Sequence, residues 1–324
     1  MKRFLKPLSL VALLGVGFVA GWVRLPYYAL GPGEAREVEP LIHVEGHSLY
    51  QSTGKLVMTT VAFEPATALV ALIAWLDPHQ YVVPRDALFA PGQTSAQERE
   101  RSLSEMDTSK LDAAYVVLRQ LAGYPKDHDP GTLVERVLPG CPAEGALFAG
   151  DLILAIDGTT VRSRGQALSL LDADRAEGSV TFRVRAGGET EDVTVDRRPC
   201  ANSSRPLVGI TLIPNFPIGV TIESDDVGGP SAGLMWALGL YDLLTPGDLT
   251  TGRVVAGTGT IGLRGRVGAI GGISDKVVAA ERAGADVFLC PEGNANEART
   301  ASDGSMDIVS VASFRDAIDA LHGP

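Results

Sequence analysis

The sequence predicts an α+β fold with a β-rich segment set within it and one transmembrane helix in front. Three observations carry this expectation. Pro7 to Val23 holds no charged residue and follows Lys2, Arg3 and Lys6. Between Thr132 and Val195 the chain turns to short apolar runs broken by small-residue turns, the signature of strands. From Val208 to Leu321 strand-like runs alternate with longer apolar stretches of helical character.

The N-terminal run comes first. At 1.5 Å per residue it would span about 25 Å, enough for a thin or locally adapted bilayer. Trp22, Tyr27 and Tyr28 fit an interfacial aromatic belt, and the basic start belongs on the cytoplasmic side. The expectation is therefore a single-pass cell-membrane protein with a cytoplasmic N-terminus and an extracytoplasmic bulk. A cleaved signal peptide is the rival, but no Ala-x-Ala stands near Val19 and Gly21.

Composition narrows the function. A chain of 324 residues with 45% hydrophobic content has room for about two folded domains. A net charge of −11 argues against nucleic acid, whose binding needs a basic face. Cys141, Cys200 and Cys290 form no CxxC pair, so no zinc or redox motif is expected, and whether any two are bonded stays open. His43, His47, His79, His128 and His322 have no metal-ligand spacing and no His-Glu-x-x-His occurs. No cofactor and no metal are expected.

Along the chain, Leu25 to Ala35 is rich in proline and glycine and reads as an extended exit from the anchor. Leu41–Val44 and Lys55–Val61 read as strands, and 66–75 as a helix. Asp77 to Gln80 is a turn, which leaves His79 at the surface. Ser95–Lys110 and Ser109–Leu121 are helical in composition. Then come strand Leu133–Val137, a small-residue turn through Gly140 to Ala143, a strand and turn within Leu147 to Gly158, a helix over Arg164–Leu171, and strands over Ser179–Val184 and Glu191–Val195. Arg198–Arg205 reads as a linker. Strands over Val208–Leu212, Gly219–Glu223 and Asp286–Cys290 and a terminal helix over Ser313–Leu321 complete the list.

Chemistry gathers at two glycine turns. Gly228-Gly229-Pro230-Ser231-Ala232-Gly233 opens an apolar helix. Proline suits a first helical position, and the free amides there favour a developing negative charge. Ser231 is thus a helix cap or a nucleophile, and local sequence alone leaves both open. Gly271-Gly272-Ile273-Ser274-Asp275-Lys276 opens a second helix with Ser274 as its expected N-cap. A lysine in a first turn opposes the helix dipole. That place suits a lysine whose pKa must fall so that it can take a proton. Thr258, between the two, could bond to the amine. Asp225 and Asp226 are most simply turn residues.

These runs resemble the proteolytic domain of Lon-type serine proteases. The resemblance rests on Gly229-Pro230-Ser231-Ala232-Gly233, Thr258-Gly259-Thr260-Ile261 with Gly265 and Val267, and Ile270-Gly271-Gly272 with Lys276. It implies a Ser-Lys dyad: Ser231 as nucleophile, Lys276 as general base, Thr258 orienting the lysine, and the Ser231 and Ala232 amides holding the oxyanion. Looser matches of the same kind are Gly54–Thr60 and Met106–Lys110. Pro142 to Gly158 resembles a PDZ domain, which implies capture of extended peptide ends in a groove between Leu133–Val137 and the Arg164–Leu171 helix. Because protease-like matches flank it, the PDZ-like part reads as an insertion. The expected division is 1–24 start and anchor, 25–122 linker and first protease part, 123–200 PDZ-like domain, and 201–324 proteolytic domain.

The layout is similar to membrane-anchored, PDZ-containing Lon-like proteases of bacteria. It implies an ATP-independent serine endopeptidase acting on extracytoplasmic proteins or peptides, with self-association left open. Three departures stand out, one being a slightly long link between Ser231 and Lys276, with the extra residues expected in Leu244 to Gly252. No Gly-x-x-x-x-Gly-Lys-Ser/Thr occurs, and Gly228 stands where Lon proper has an acid. An α/β-hydrolase elbow at Gly229-x-Ser231-x-Gly233 lacks a leading apolar strand and has only His322 after it. A non-catalytic extracytoplasmic PDZ scaffold with an inactive protease fold is the remaining alternative.

Overall fold

The structure, a computed structural model, describes residues 21–126, 128–173, 178–200 and 206–322. The first half of the chain supplies β1 (Arg24–Glu37), β2 (Ile42–Val44), β3 (Lys55–Thr67), α1 (Ala68–Leu76), β4 (Tyr81–Pro84), α2 (Arg85–Leu88) and the long α3 (Ser95–Leu121). A β-rich stretch follows with β5 (Thr132–Val137), β6 (Leu152–Ile156), β7 (Thr159–Thr160), α4 (Arg164–Ala173), β8 (Gly178–Ala186), β9 (Glu189–Pro199), β10 (Pro206–Leu207) and β11 (Ile210–Pro214). The last part holds β12 (Val220–Ile222), α5 (Gly233–Leu244), β13 (Val254–Gly257), β14 (Thr260–Ile261), β15 (Val267–Gly268), α6 (Ile273–Arg282), β16 (Val287–Pro291), α7 (Ala295–Ala301), β17 (Asp307–Val311) and α8 (Phe314–His322).

Two sheets organise these elements. The first runs β17-β16-β13-β3-β1-β4, with β17, β16, β13 and β3 mutually parallel and β1 antiparallel to both neighbours. Its strands alternate sides, as the two-residue period demands. Leu56, Met58, Val255 and Leu289 face the core of α3, α5 and α8. Val57, Ala256, Phe288 and Cys290 face α6 and α7. Covering a parallel run on both faces is why Val287–Pro291 is apolar throughout. The result is a mixed α/β arrangement in this part of the chain.

The second sheet runs β10-β9-β8-β6-β5-β11, with β7 on β6, around its own core of Val134, Ile153, Phe182, Val195 and Leu212. The first sheet draws its strands from both sides of this segment. One element moves relative to the sequence reading. Ile210–Pro214 pairs antiparallel with Thr132–Val137, so the strand placed over Val208–Leu212 in the protease part belongs to the β-rich sheet.

The N-terminal expectations are corrected. Most of Pro7 to Val23 lies outside the described residues, and among those described no helix is long and apolar enough to cross a membrane. A single-pass anchor, and the extracytoplasmic placement that rested on it, are not supported. The stretch read as an extended exit is instead β1. Its register shifts lie between Arg24 and Tyr28 and between Pro32 and Ala35, so Pro26 and Pro32 stand at irregularities that tolerate a missing amide. Tyr28 is buried and stacks on Phe63 at 4.6 Å, with Phe89 alongside, so it is a core residue and no part of an interfacial belt. Helix α1 turns Ala74 inward and leaves Leu69, Leu72, Ile73 and Leu76 exposed along one stripe.

Candidate active site

The turn that carries Ser231 is built by three locks. Gly229 adopts φ +85°, a conformation open to glycine at little cost, and its N–H donates to Ser102 O at 2.7 Å. Pro230 to Ala232 form a single 3-10 turn closed by the Gly233 N–H on Pro230 O. The Ser231 carbonyl accepts from Gly259 N at 2.7 Å and from Thr258 Oγ1 at 3.0 Å. Behind the turn α5 is buried from Gly233 to Leu240, and the Trp236 indole N–H reaches Met106 Sδ at 3.3 Å. Ser231 itself is half-buried and makes no side-chain cap. Its own N–H meets no acceptor among the described residues.

Lys276 arrives from the other side of the sheet. Its helix α6 packs in the second core layer, against Val57 and Ala256, whereas α5 lies in the first. The two helix starts meet just beyond the end of β13, where Thr258 continues the strand with its N–H on Leu289 O at 3.0 Å. Here Lys276 Nζ lies 2.7 Å from Ser231 Oγ and 3.0 Å from Thr258 Oγ1. Lysine and threonine are 4% and 1% exposed. Burial lowers the Lys276 pKa from 10.5 to about 8, because an ammonium loses its hydration there.

The hydrogen-bond count fixes the direction of the amine. Thr258 spends its one proton on Ser231 O, so toward Lys276 it can only accept. A neutral Nζ that gives one N–H to Thr258 keeps its lone pair free for Ser231 Oγ–H.

The three side chains singled out from sequence, Ser231, Lys276 and Thr258, thus lie together, with the Ala232 amide in the same turn. Ser274 does not cap α6. Gly272 holds the N-cap at φ +67°, and Ser274 Oγ instead donates to Glu297 Oε1 at 3.0 Å. Asp275, beside Lys276 and 6% exposed, accepts from Tyr81 Oη at 3.0 Å; its pKa is raised, chiefly by burial.

Sequence reasoning gave no role to Ser102 and Ser109 of α3, although Met106–Lys110 had been singled out as protease-like. Ser109 Oγ donates to Pro230 O at 3.0 Å. In the β-rich sheet, the strand next to α4 is not the one expected. Both edges of β5 are occupied, by β6 and β11, and β11 is the edge strand. It faces α4, whose Arg164 Nε donates to Leu212 O at 2.6 Å. Cys141 and Cys200 are disulfide-bonded and Cys290 is free and buried. Among the described residues no group of His, Cys, Asp and Glu could hold a metal.

Residues 217–321 match the Lon protease (S16) C-terminal proteolytic domain, and residues 133–185 match the PDZ domain. Lon protease 2 of Bacillus subtilis is 34% identical over 107 residues, 33% of this chain and 18% of the relative. Lon protease of Roseiflexus castenholzii is 48% identical over 71 residues, 22% of this chain and 9% of the relative. The chain therefore spans less than a fifth of the length of either. The PDZ domain of the SdrC-like protein of Listeria innocua is 27% identical over 25% of this chain and 92% of that structure, with a TM-score of 0.23. A Lon-type proteolytic domain and a PDZ domain are thus found in one chain.

Proposed function

We propose that this chain is a serine endopeptidase that works through Ser231 and Lys276 without ATP. The observation that carries the reading is a lysine nitrogen 2.7 Å from a serine oxygen in a site that is 4% exposed at the lysine. The neutral amine takes the Ser231 Oγ proton while Oγ bonds to the scissile carbonyl carbon and that carbonyl's π pair moves onto oxygen. The amides of Ser231 and Ala232 would hold the oxyanion. As the tetrahedral centre collapses, the C–N bond breaks and the ammonium returns its proton to the leaving amine. Water, giving a proton to the same lysine, then adds to the acyl carbon; the C–Oγ bond breaks and the ammonium returns its proton to Ser231 Oγ. Thr258 keeps the amine aimed throughout.

The PDZ unit would supply substrate or regulator peptides. The free edge of β11 beside α4 supports addition of an extended chain as a further strand. Gly209, at φ +87°, heads that edge, where backbone amides after Leu207 would meet a chain-end carboxylate. With Ile210–Pro214 paired to β5, this unit would reach beyond the 123–200 span read from sequence, and the protease unit would be built from the segments on either side.

A serine-reactive phosphonate and an unfolded protein substrate test the reading together. Hydrolysis without nucleotide is expected, with labelling at Ser231. Ser231→Ala and Lys276→Ala should abolish turnover, and Thr258→Val should lower kcat by roughly 10- to 100-fold. An inert wild-type protein, or a Ser231→Ala variant that still turns over, would refute the assignment in favour of a binding module. Peptides with free and with amidated C-termini test the groove, and equal affinity would exclude end capture.

A further inference from the structure

Helix α3 grips the nucleophile turn from behind at two points on one face. Ser102 and Ser109 stand two helical turns apart and therefore on the same side. Ser102 O accepts the Gly229 N–H at 2.7 Å, and Ser109 Oγ donates to Pro230 O at 3.0 Å. Both contacts need a close approach. A Cβ on Gly233 would stand 2.6 Å from Ser109 Oγ, and one on Gly228 would stand 2.6 Å from Ser102 Oγ. Ser109 is 3% exposed, so its hydroxyl has little recourse to water and its proton is committed to this carbonyl.

The consequence follows from the planarity of one peptide unit. In a trans peptide the C=O and N–H point in opposite directions. Pro230 O is drawn toward α3 by Ser109 and is closed off by the Gly233 N–H. The Ser231 N–H, at the other end of that unit, is thereby turned away from α3 and meets no acceptor among the described residues. It is the donor required for an oxyanion, and it sits on the residue that carries the nucleophile.

We propose that Ser109 is a positioning residue for the Ser-Lys reaction: by holding the Pro230 carbonyl it aims the Ser231 amide and hydroxyl at the substrate carbonyl. It touches no reacting atom and acts through Ser231. Without it the carbonyl keeps one hydrogen bond and the peptide unit can pivot. Displacement of about 1 Å at a reacting group costs up to about 100-fold in rate, and loss of an oxyanion donor costs 100-fold or more.

The inference rests on the Ser-Lys reading, and steady-state kinetics on the full chain separate the two. Rates are expressed per active site titrated with a phosphonate, so that unfolded protein does not count. Ser109→Ala should lower kcat by roughly 10- to 100-fold, with KM within about twofold and the basic limb of the pH profile unmoved, because the surroundings of Lys276 are untouched. Ser109→Thr, which keeps the hydroxyl, should lie above alanine in kcat. A Ser109→Ala kcat within twofold of wild type, whatever its Tm, overturns the proposal and makes Ser109 a packing residue. So does a threonine variant no faster than alanine. If wild type is inert or Ser231→Ala remains active, the dyad itself fails and this role fails with it. If the dyad variants are dead while Ser109→Ala matches wild type, only the role of Ser109 is lost.

Discussion

Lys276 approaches Ser231 from the opposite layer of the sheet, and its Nζ stops 2.7 Å from the serine oxygen. With its pKa lowered to about 8 by burial, the amine is mostly charged at pH 7 and mostly neutral at pH 9. Only the neutral form can accept a proton. The rate of peptide hydrolysis, measured as kcat/KM, should therefore rise with pH through a limb near 8 and level off above it. Lys276→Arg should be as inactive as Lys276→Ala, since guanidinium does not release its proton at these pH values. Substantial activity in the arginine variant would leave the lysine a merely structural role.

The same burial costs stability at neutral pH. Lysine has its ordinary pKa of 10.5 when exposed and about 8 when folded here. Between those values the unfolded chain binds more protons, so stability rises with pH across the window, and the penalty is present in full below it. Lys276→Met should melt a few degrees above wild type at pH 7, with the gap closing toward pH 10.5. A methionine variant that melts lower at pH 7 would mean that the hydrogen bonds to Ser231 and Thr258 outweigh the desolvation of the charge.

The residues that meet here were legible because their signals are local. A glycine turn before Ser231 and another before Lys276 announce helix starts wherever the rest of the chain goes. What was not legible depended on partners remote in sequence. Leu25–Ala35 has the composition of a loop, and only pairing with β3 and β4 makes it a strand. Ile210–Pro214 continues straight into the protease segment with nothing local to say that its partner is Thr132–Val137. Ser274 looked like a cap because serine is a favoured N-cap residue, but Gly272 already holds that position. Ser109 could not be given a role because its acceptor, Pro230 O, lies on an element far along the chain.

Asp112 marks the seam between α3 and the β-rich sheet. It is 6% exposed, its Oδ1 has no hydrogen-bond partner among the described residues, and Arg136 of β5 stands 3.8 Å from Oδ2. Burial raises its pKa from 3.8 to about 7, with Glu135 adding to the rise and Arg136 opposing it. The folded state therefore binds the extra proton. The stability this contributes is present below about 4 and is lost as pH rises through 7. Asp112→Asn should raise Tm most at pH 8 and leave it nearly unchanged near pH 4. Thermal melts across that range check this, and a benefit that fails to shrink at low pH would exclude Asp112 as the titrating group.

The disulfide joins a packing role to the β11 edge. Cys141 and Cys200 are separated by 59 residues, so their bond removes loop entropy from the unfolded chain worth roughly 4 kcal/mol. The bond also lies under Gly209. A Cβ there would stand 2.6 Å from Cys141 Sγ and 3.4 Å from Cys200 Sγ. The neighbouring backbone is tied to the same segment, with Leu138 N on Gly209 O at 2.8 Å and Ala143 N on Val208 O at 3.0 Å. Gly209 leads directly into β11, the edge strand beside α4. Cys200→Ser should therefore lower Tm and weaken binding of a fluorescent peptide with a free C-terminus. Hydrolysis of a short peptide, per titrated active site, should stay near wild type, because Ser231, Thr258 and Lys276 meet beyond the end of β13 in the other sheet. If short-peptide hydrolysis fell as far as peptide binding, the two units would be one cooperative body, and the disulfide would act on the whole molecule and not on the β11 edge alone.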